Sequence, residues 1–133
     1  MSMVNMNYRA EALNVEFVGL PDECDLSGDA ANATLFGPGG VEFSVYVEDP
    51  SQTPRTDFAM RRELAAGRSY IAEFTSEETT EDGWLIRFRT EDDTLGFELG
   101  RVLGGRRLVF WGGDLPNEEA LATAIAWSRA ARG

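Results

Sequence analysis

Residues Arg68 to Gly113 read RSYIAEFTSEETTEDGWLIRFRTEDDTLGFELGRVLGGRRLVFWGG. This pattern predicts four short strands joined by three tight turns. Side chains along a strand alternate between the two faces of a sheet. Trp84, Ile86 and Phe88 therefore share one face of their strand, and Leu85, Arg87 and Arg89 share the other. Leu95, Phe97 and Leu99 alternate in the next strand, as Tyr70, Ala72 and Phe74 do in the strand before. The expectation is one well-buried face carrying Trp84, Ile86, Phe88, Leu95, Phe97 and Leu99, and one wetter face. Asp82-Gly83 and Gly104-Gly105 supply the positive φ that two-residue hairpins need. Glu91-Asp92-Asp93 reads as a charged loop. Leu108-Val109-Phe110-Trp111 is apolar on both faces, so this strand is expected at the centre of the sheet or covered on both sides.

Working outward, Leu13, Val15 and Phe17 predict a first strand over Ala12 to Val18, stopped by Leu20-Pro21-Asp22. Asp22 to Asn32 is small and acidic and reads as a loop. Ala33 to Phe36 and the alternating run Val41, Phe43, Val45 and Val47 predict a hairpin turned by Gly37-Pro38-Gly39-Gly40. Thr56 suits the N-cap of a helix from Asp57 to Ala66 that Gly67 closes. A last helix begins at Pro116 or Asn117, with Glu118 and Glu119 at its positive end and Arg129 and Arg132 at its negative end. Leu121, Ala124, Ile125 and Ser128 lie on one stripe, widened by Trp127, that should pack on the sheet. The fold class is thus α+β, a mostly antiparallel sheet with a C-terminal helix on it and a short mid-chain helix. Residues 1–11 are expected as a lead-in and 12–133 as one domain, in keeping with the length.

The formal charge of −11 disfavours nucleic acid and anionic membrane as partners, since both need clustered cations. It favours a basic protein surface. All twelve basic residues are arginine, and there is neither lysine nor histidine. Met1 to Tyr8 has no basic start and no long apolar run, so no signal peptide is expected there. A cytoplasmic protein is expected.

Three stretches resemble the PsbP-like α/β/α sandwich superfamily, which includes DcrB-like bacterial proteins. They are Leu20-Pro21, Gly40-Val41-Glu42-Phe43-Ser44-Val45, and Ile125-Ala126-Trp127-Ser128-Arg129 in the closing helix. With the order of elements, the resemblance spans residues 12–131. It implies binding to other proteins, as an assembly factor or adaptor, and transfers no functional residue.

The absent residue types exclude much chemistry. Without imidazole or amine side chains there is no Ser-His dyad, Cys-His pair, imidazole zinc ligand or Schiff-base lysine. Cys24 stands among Asp22, Glu23 and Asp25, which should raise its pKa and leave an ordinary unreactive thiol. Asp22, Glu23, Asp25 and Asp29 lack the spacing of an EF-hand loop. Glu77, Glu78, Glu81 and Asp82 read as a solvated hairpin tip. The glycine pairs 39–40, 104–105 and 112–113 match no phosphate-loop pattern and read as turn glycines. No catalytic residue, cofactor or metal is expected.

Trp84, Trp111 and Trp127 are expected in the core. Tyr46, Leu85, Val109 and Trp111 are read onto the second sheet face, where uncovered apolar area would form a partner surface or a homodimer contact. Arg87, Arg89 and Arg101, on or beside that face, would pair with a partner's acids. Tyr46, Leu85, Arg87, Arg89, Val109 and Trp111 are the candidate partner surface. Three functions follow: a non-catalytic adaptor, assembly factor or chaperone-like binding module; an immunity or inhibitor protein against a basic toxin or enzyme; and, less favoured, a carboxylate- or metal-dependent hydrolase.

Overall fold

The computed structural model describes residues 5–28, 32–47, 70–81 and 83–133. Nine strands run in chain order: β1 (Asn5–Ala10), β2 (Val15–Pro21), β3 (Asp25–Gly28), β4 (Asn32–Gly37), β5 (Val41–Val47), β6 (Ile71–Thr79), β7 (Trp84–Thr90), β8 (Leu95–Leu103) and β9 (Arg106–Leu115). Helix α1 (Glu118–Ala130) closes the chain. Every pairing between these strands is antiparallel. The fold is α+β, as the alternation predicts. The helix expected over Asp57 to Ala66 lies outside the described residues. No helix among the described residues is long and apolar enough to cross a membrane.

β1 and β2 form a two-stranded sheet, and the other seven strands run in the order β3-β4-β5-β9-β8-β7-β6. The predicted meander is the run β6 to β9. Its last strand, apolar on both faces, sits fourth of seven between β5 and β8. The β4–β5 hairpin forms as expected. Gly104 and Gly105, at φ 59° and 76°, make the tight β8–β9 turn that only residues tolerant of positive φ allow.

The structure corrects four expectations. The expected lead-in holds β1, which pairs with β2 from Asn5↔Pro21 to Ala10↔Val15. Its residues do alternate, with Met6, Tyr8 and Ala10 against Asn5, Asn7 and Arg9, and Tyr8 and Ala10 pack on the main core. The acidic stretch after Pro21 likewise contains β3, held by the β4 edge from Asp25↔Phe36 to Gly28↔Ala33. Gly112 and Gly113 lie inside β9 and not in a turn. Arg132 lies beyond α1 and joins β2: its Nε donates to Glu16 Oε1 at 2.8 Å, and the two backbones exchange hydrogen bonds of 2.7 and 2.9 Å.

The faces also sort differently. Directly opposed residues in an antiparallel ladder share a face. β7 and β8 pair Leu85 with Leu99 and Arg87 with Phe97, whereas Trp84 meets Gly100 and Phe88 meets Gly96. Trp84, Ile86 and Phe88 are therefore on the face opposite Phe97 and Leu99. One strand's alternation says which residues go together; the register says which set joins which set in the next strand.

The main core lies on the face carrying Leu85, Phe97, Leu99 and Phe110. Both β2 and α1 cover it. Phe17 of β2 meets Phe43 and Phe110 edge to face at 5.7 and 6.2 Å, and Phe43 meets Phe97 at 6.0 Å. Leu121, Ala124, Ile125 and Ser128 of α1 are buried, as the stripe predicts. Leu121 and Ile125, like the core phenylalanines, each contribute about 1.5–3 kcal/mol by leaving water. Asn117 is the N-cap, with its Oδ1 accepting from the Ala120 amide at 2.8 Å. At the other end Arg101 of β8 donates to the carbonyls of Ser128 and Ala131 at 2.6 and 2.8 Å. A cation from the sheet thus meets the negative end of the helix and ties it down.

The opposite face carries a smaller cluster of Trp84, Ile86 and Val109, with Tyr46 and Phe74 against it. Glycines make room for its aromatics: a Cβ on Gly100 would lie 2.4 Å from the Trp84 ring. The buried Trp84 indole donates to Glu98 at 3.0 Å, and the Arg107 guanidinium lies 5.4 Å from the Trp84 ring centroid.

Candidate functional site

The six residues expected to form one partner surface do not come together. Leu85 is buried in the main core, and Val109 in the cluster on the opposite face. Tyr46 packs on that second cluster. Arg87 donates to Ser76 Oγ at 3.1 Å and borders a groove between β7 and α1. Arg89 pairs with Glu73 at 3.1 Å and with Asp93 at 3.7 Å. Trp111 alone of the six lines a cleft with acidic walls.

That cleft, about 290 Å³, lies at one end of the sheet, where β5 begins and β7 and β9 finish. Its shape comes from an irregularity in β9. Leu115 faces Leu95 and Gly112 faces Phe97, so β9 carries one residue more than β8 between these pairs. Such a bulge bends a strand and re-aims its side chains. The two glycines let neighbouring segments close on it. A Cβ on Gly112 would lie 2.8 Å from the Glu42 carbonyl oxygen, and one on Gly113 would lie 3.3 Å from the Tyr70 ring.

The β7–β8 loop is braced against the same bulge. The Thr90 and Thr94 hydroxyls are 2.6 Å apart, the Thr94 amide donates to Thr90 Oγ1 at 3.2 Å, and Thr94 Oγ1 donates to the Gly113 carbonyl at 2.8 Å. Asp93 takes the left-handed conformation, φ 63°, that closes this loop. The Glu91 amide donates to the Tyr70 carbonyl at 2.8 Å, which fixes the chain just before β6. The walls are thus set by hydrogen bonds within and between the loop and strand.

Tyr70 and Trp111 give the cleft its aromatic surface, Phe43 borders it from the main core, and Glu42, Asp92 and Asp114 give it its charge. These three carboxylates are exposed, and none takes part in a side-chain hydrogen bond or ion pair among the described residues. Among the described residues no basic side chain lines the cleft. The Tyr70 hydroxyl is buried and has no hydrogen-bond partner among the described residues.

The groove bordered by Arg87 differs. It measures about 310 Å³, is lined by Glu118, Leu121, Ile125 and Arg129 among others, and bears two arginines against one acid. Arg129 there donates to Glu78 at 2.8 Å. Its cations are already engaged within the chain.

Among the described residues no group of three or more Asp, Glu or Cys side chains is placed to hold one metal ion. Cys24 is buried at 8 % exposure, and burial, then the Glu23 carboxylate, pushes its thiol pKa up. The direction is the one read from the sequence. The leading cause is burial beside Gly37 and Trp127, and not the acidic neighbours. No protein-family model matches the sequence, and no curated protein matches it.

Sequence reasoning missed Glu42, Tyr70, Asp92 and Asp114 as a set. They come from four separate segments that only the register brings to one end of the sheet. The one local signal was Gly112-Gly113, placed directly after an apolar strand and before Asp114.

Proposed function

We propose that this protein is a non-catalytic module that binds a basic protein partner, an adaptor or assembly factor by mode of action. The observation that carries the reading is the acidic cleft: aromatic surface inside, three unpaired carboxylates around it, and no lining cation among the described residues. The formal charge of −11 extends the same preference over longer range. The residue inventory supports binding over turnover. The chain has no histidine or lysine, and burial pushes the pKa of its cysteine up, away from the reactive thiolate. The PsbP-like resemblance implies the same mode of action and rests on the sequence patterns alone.

The test is affinity purification with the whole chain as bait, beside an Asp92→Asn/Asp114→Asn double variant. One stoichiometric partner should be held at low salt, released as salt rises, and lost from the variant. Equal recovery on the variant, or no reproducible partner at low salt, would overturn the reading.

A further inference from the structure

We infer that the cleft takes the guanidinium group of an arginine side chain presented by the partner. The inference rests on the binding reading above and names the chemistry of the contact.

Size is the first argument. Sites for drug-sized ligands run from about 300 to 1,000 Å³. A cleft of about 290 Å³ lies at the lower end of that range and has room for one inserted arginine side chain.

Charge is the second. Glu42, Asp92 and Asp114 take part in no ion pair and meet no lining cation among the described residues, so the occupant that restores balance is positive.

The shape of that charge is the third. The carboxylates come from β5, the β7–β8 loop and β9, and they do not converge on a point where one metal ion would sit. A metal ion or an ammonium group concentrates its charge at one place. A guanidinium spreads its charge over a plane and donates five N–H groups in a fixed fork, so it answers acceptors on separate sides. Its flat face also stacks on aromatic rings, and Tyr70 and Trp111 both line the cleft. The Tyr70 hydroxyl, buried and without a partner, offers one further acceptor.

The walls are preorganised by the threonine hydroxyls and the β9 bulge, so little ordering is needed when the side chain enters. Arg107 over Trp84, elsewhere in the same chain, is an internal instance of arginine against tryptophan.

The experiment uses the whole labelled chain and nuclear magnetic resonance. N-acetyl-arginine amide is titrated in, with N-acetyl-lysine amide and N-acetyl-glutamine amide as comparisons. The Trp111 indole resonance, assigned with Trp111→Phe, and the Gly112 and Gly113 amides report on the cleft. The arginine compound should shift these signals saturably, more tightly than the lysine compound, and the glutamine compound should leave them unmoved. Asp92→Asn and Asp114→Asn should each weaken the arginine response by about fivefold, the upper size of an exposed ion pair. Both changes are at exposed positions, and an unchanged melting temperature confirms that the variants are folded. No saturable shift, an equal response to lysine, or a response unaltered in both variants would overturn the inference. If a partner is captured and the arginine compound does not bind, the arginine site alone fails. If the arginine compound binds and no partner is captured, the adaptor reading fails and the guanidinium chemistry stands.

Discussion

On the helix-covered face of the large sheet, Phe43 and Phe110 meet Phe17 edge to face, and Phe97 meets Phe43 in turn. On the opposite face, Trp84, Ile86 and Val109 form a smaller cluster, and Glu42, Ser44 and Trp111 continue that face toward the cleft. Both faces use the same strands. In β9 the division runs between consecutive residues: Phe110 is fully buried in the main core, while Trp111 is half-buried in a cleft wall. A strand flanked on both sides can serve two surfaces at once, one selected for packing and the other left for contact. The first derives its strength from apolar area and close fit. The second depends on charges kept near water and unneutralised.

The largest test of that division compares neighbours. Phe110→Ala should cost about 3–5 kcal/mol in urea denaturation, as for other buried phenylalanines. Trp111→Ala should cost less than half as much while removing the arginine response. Equal losses would mean that the two faces carry equal packing.

The next test sharpens the contrast within the opposite face. Gly100→Ala places a methyl within about 2.5 Å of three Trp84 ring atoms. The ring must move, and its hydrogen bond to Glu98 with it. A loss of about 1–3 kcal/mol is expected, with a red shift of tryptophan emission. An unchanged spectrum would show that Trp84 is not seated on Gly100.

The helix that distinguishes the two faces offers a smaller effect. Asn117→Ala removes the cap on the Ala120 amide and should cost about 1 kcal/mol. Binding of the arginine compound should be unaltered, because α1 lies away from the cleft.

The smallest effect is a pH dependence on the covered face. The Cys24 pKa is raised in the folded chain, so as pH rises past the ordinary thiol value of about 8.5 the unfolded chain loses a proton that the folded one keeps. Stability from this group is therefore complete below that value and declines above it. Cys24→Ala should remove that part of the alkaline decline, read as the difference between the two unfolding curves at matched pH. A wild-type curve parallel to the variant's would show that burial does not hold the thiol.

Much of the architecture was legible along the chain. The period-two runs of β5, β7, β8 and β9, the Gly104-Gly105 turn and the α1 stripe each depend on residues a few positions apart. β1 carries a short alternation of Met6, Tyr8 and Ala10 that the lead-in expectation did not use. β3 was not legible, because it is a strand by virtue of a neighbouring backbone and not of its own side chains. The candidate surface failed for a related reason. Tyr46, Val109 and Trp111 were placed together correctly, but Leu85, Arg87 and Arg89 joined them only under a register that β7 and β8 do not adopt.

By itself the amino-acid sequence determined the alternating strands of the meander and the β4–β5 hairpin, the closing helix, the antiparallel class, the acidic surplus and the lack of imidazole and amine chemistry. Local sterics, hydropathy period and composition are properties of neighbours and of totals, and they need no third dimension. Tertiary structure alone decided which alternating set faced α1, and that Glu42, Tyr70, Asp92 and Asp114 would ring one cleft. Those outcomes follow from strand register and from one extra residue in β9. A shift of a single residue reverses a face, so such choices are made by the sum of contacts across the sheet and not by any one stretch of chain.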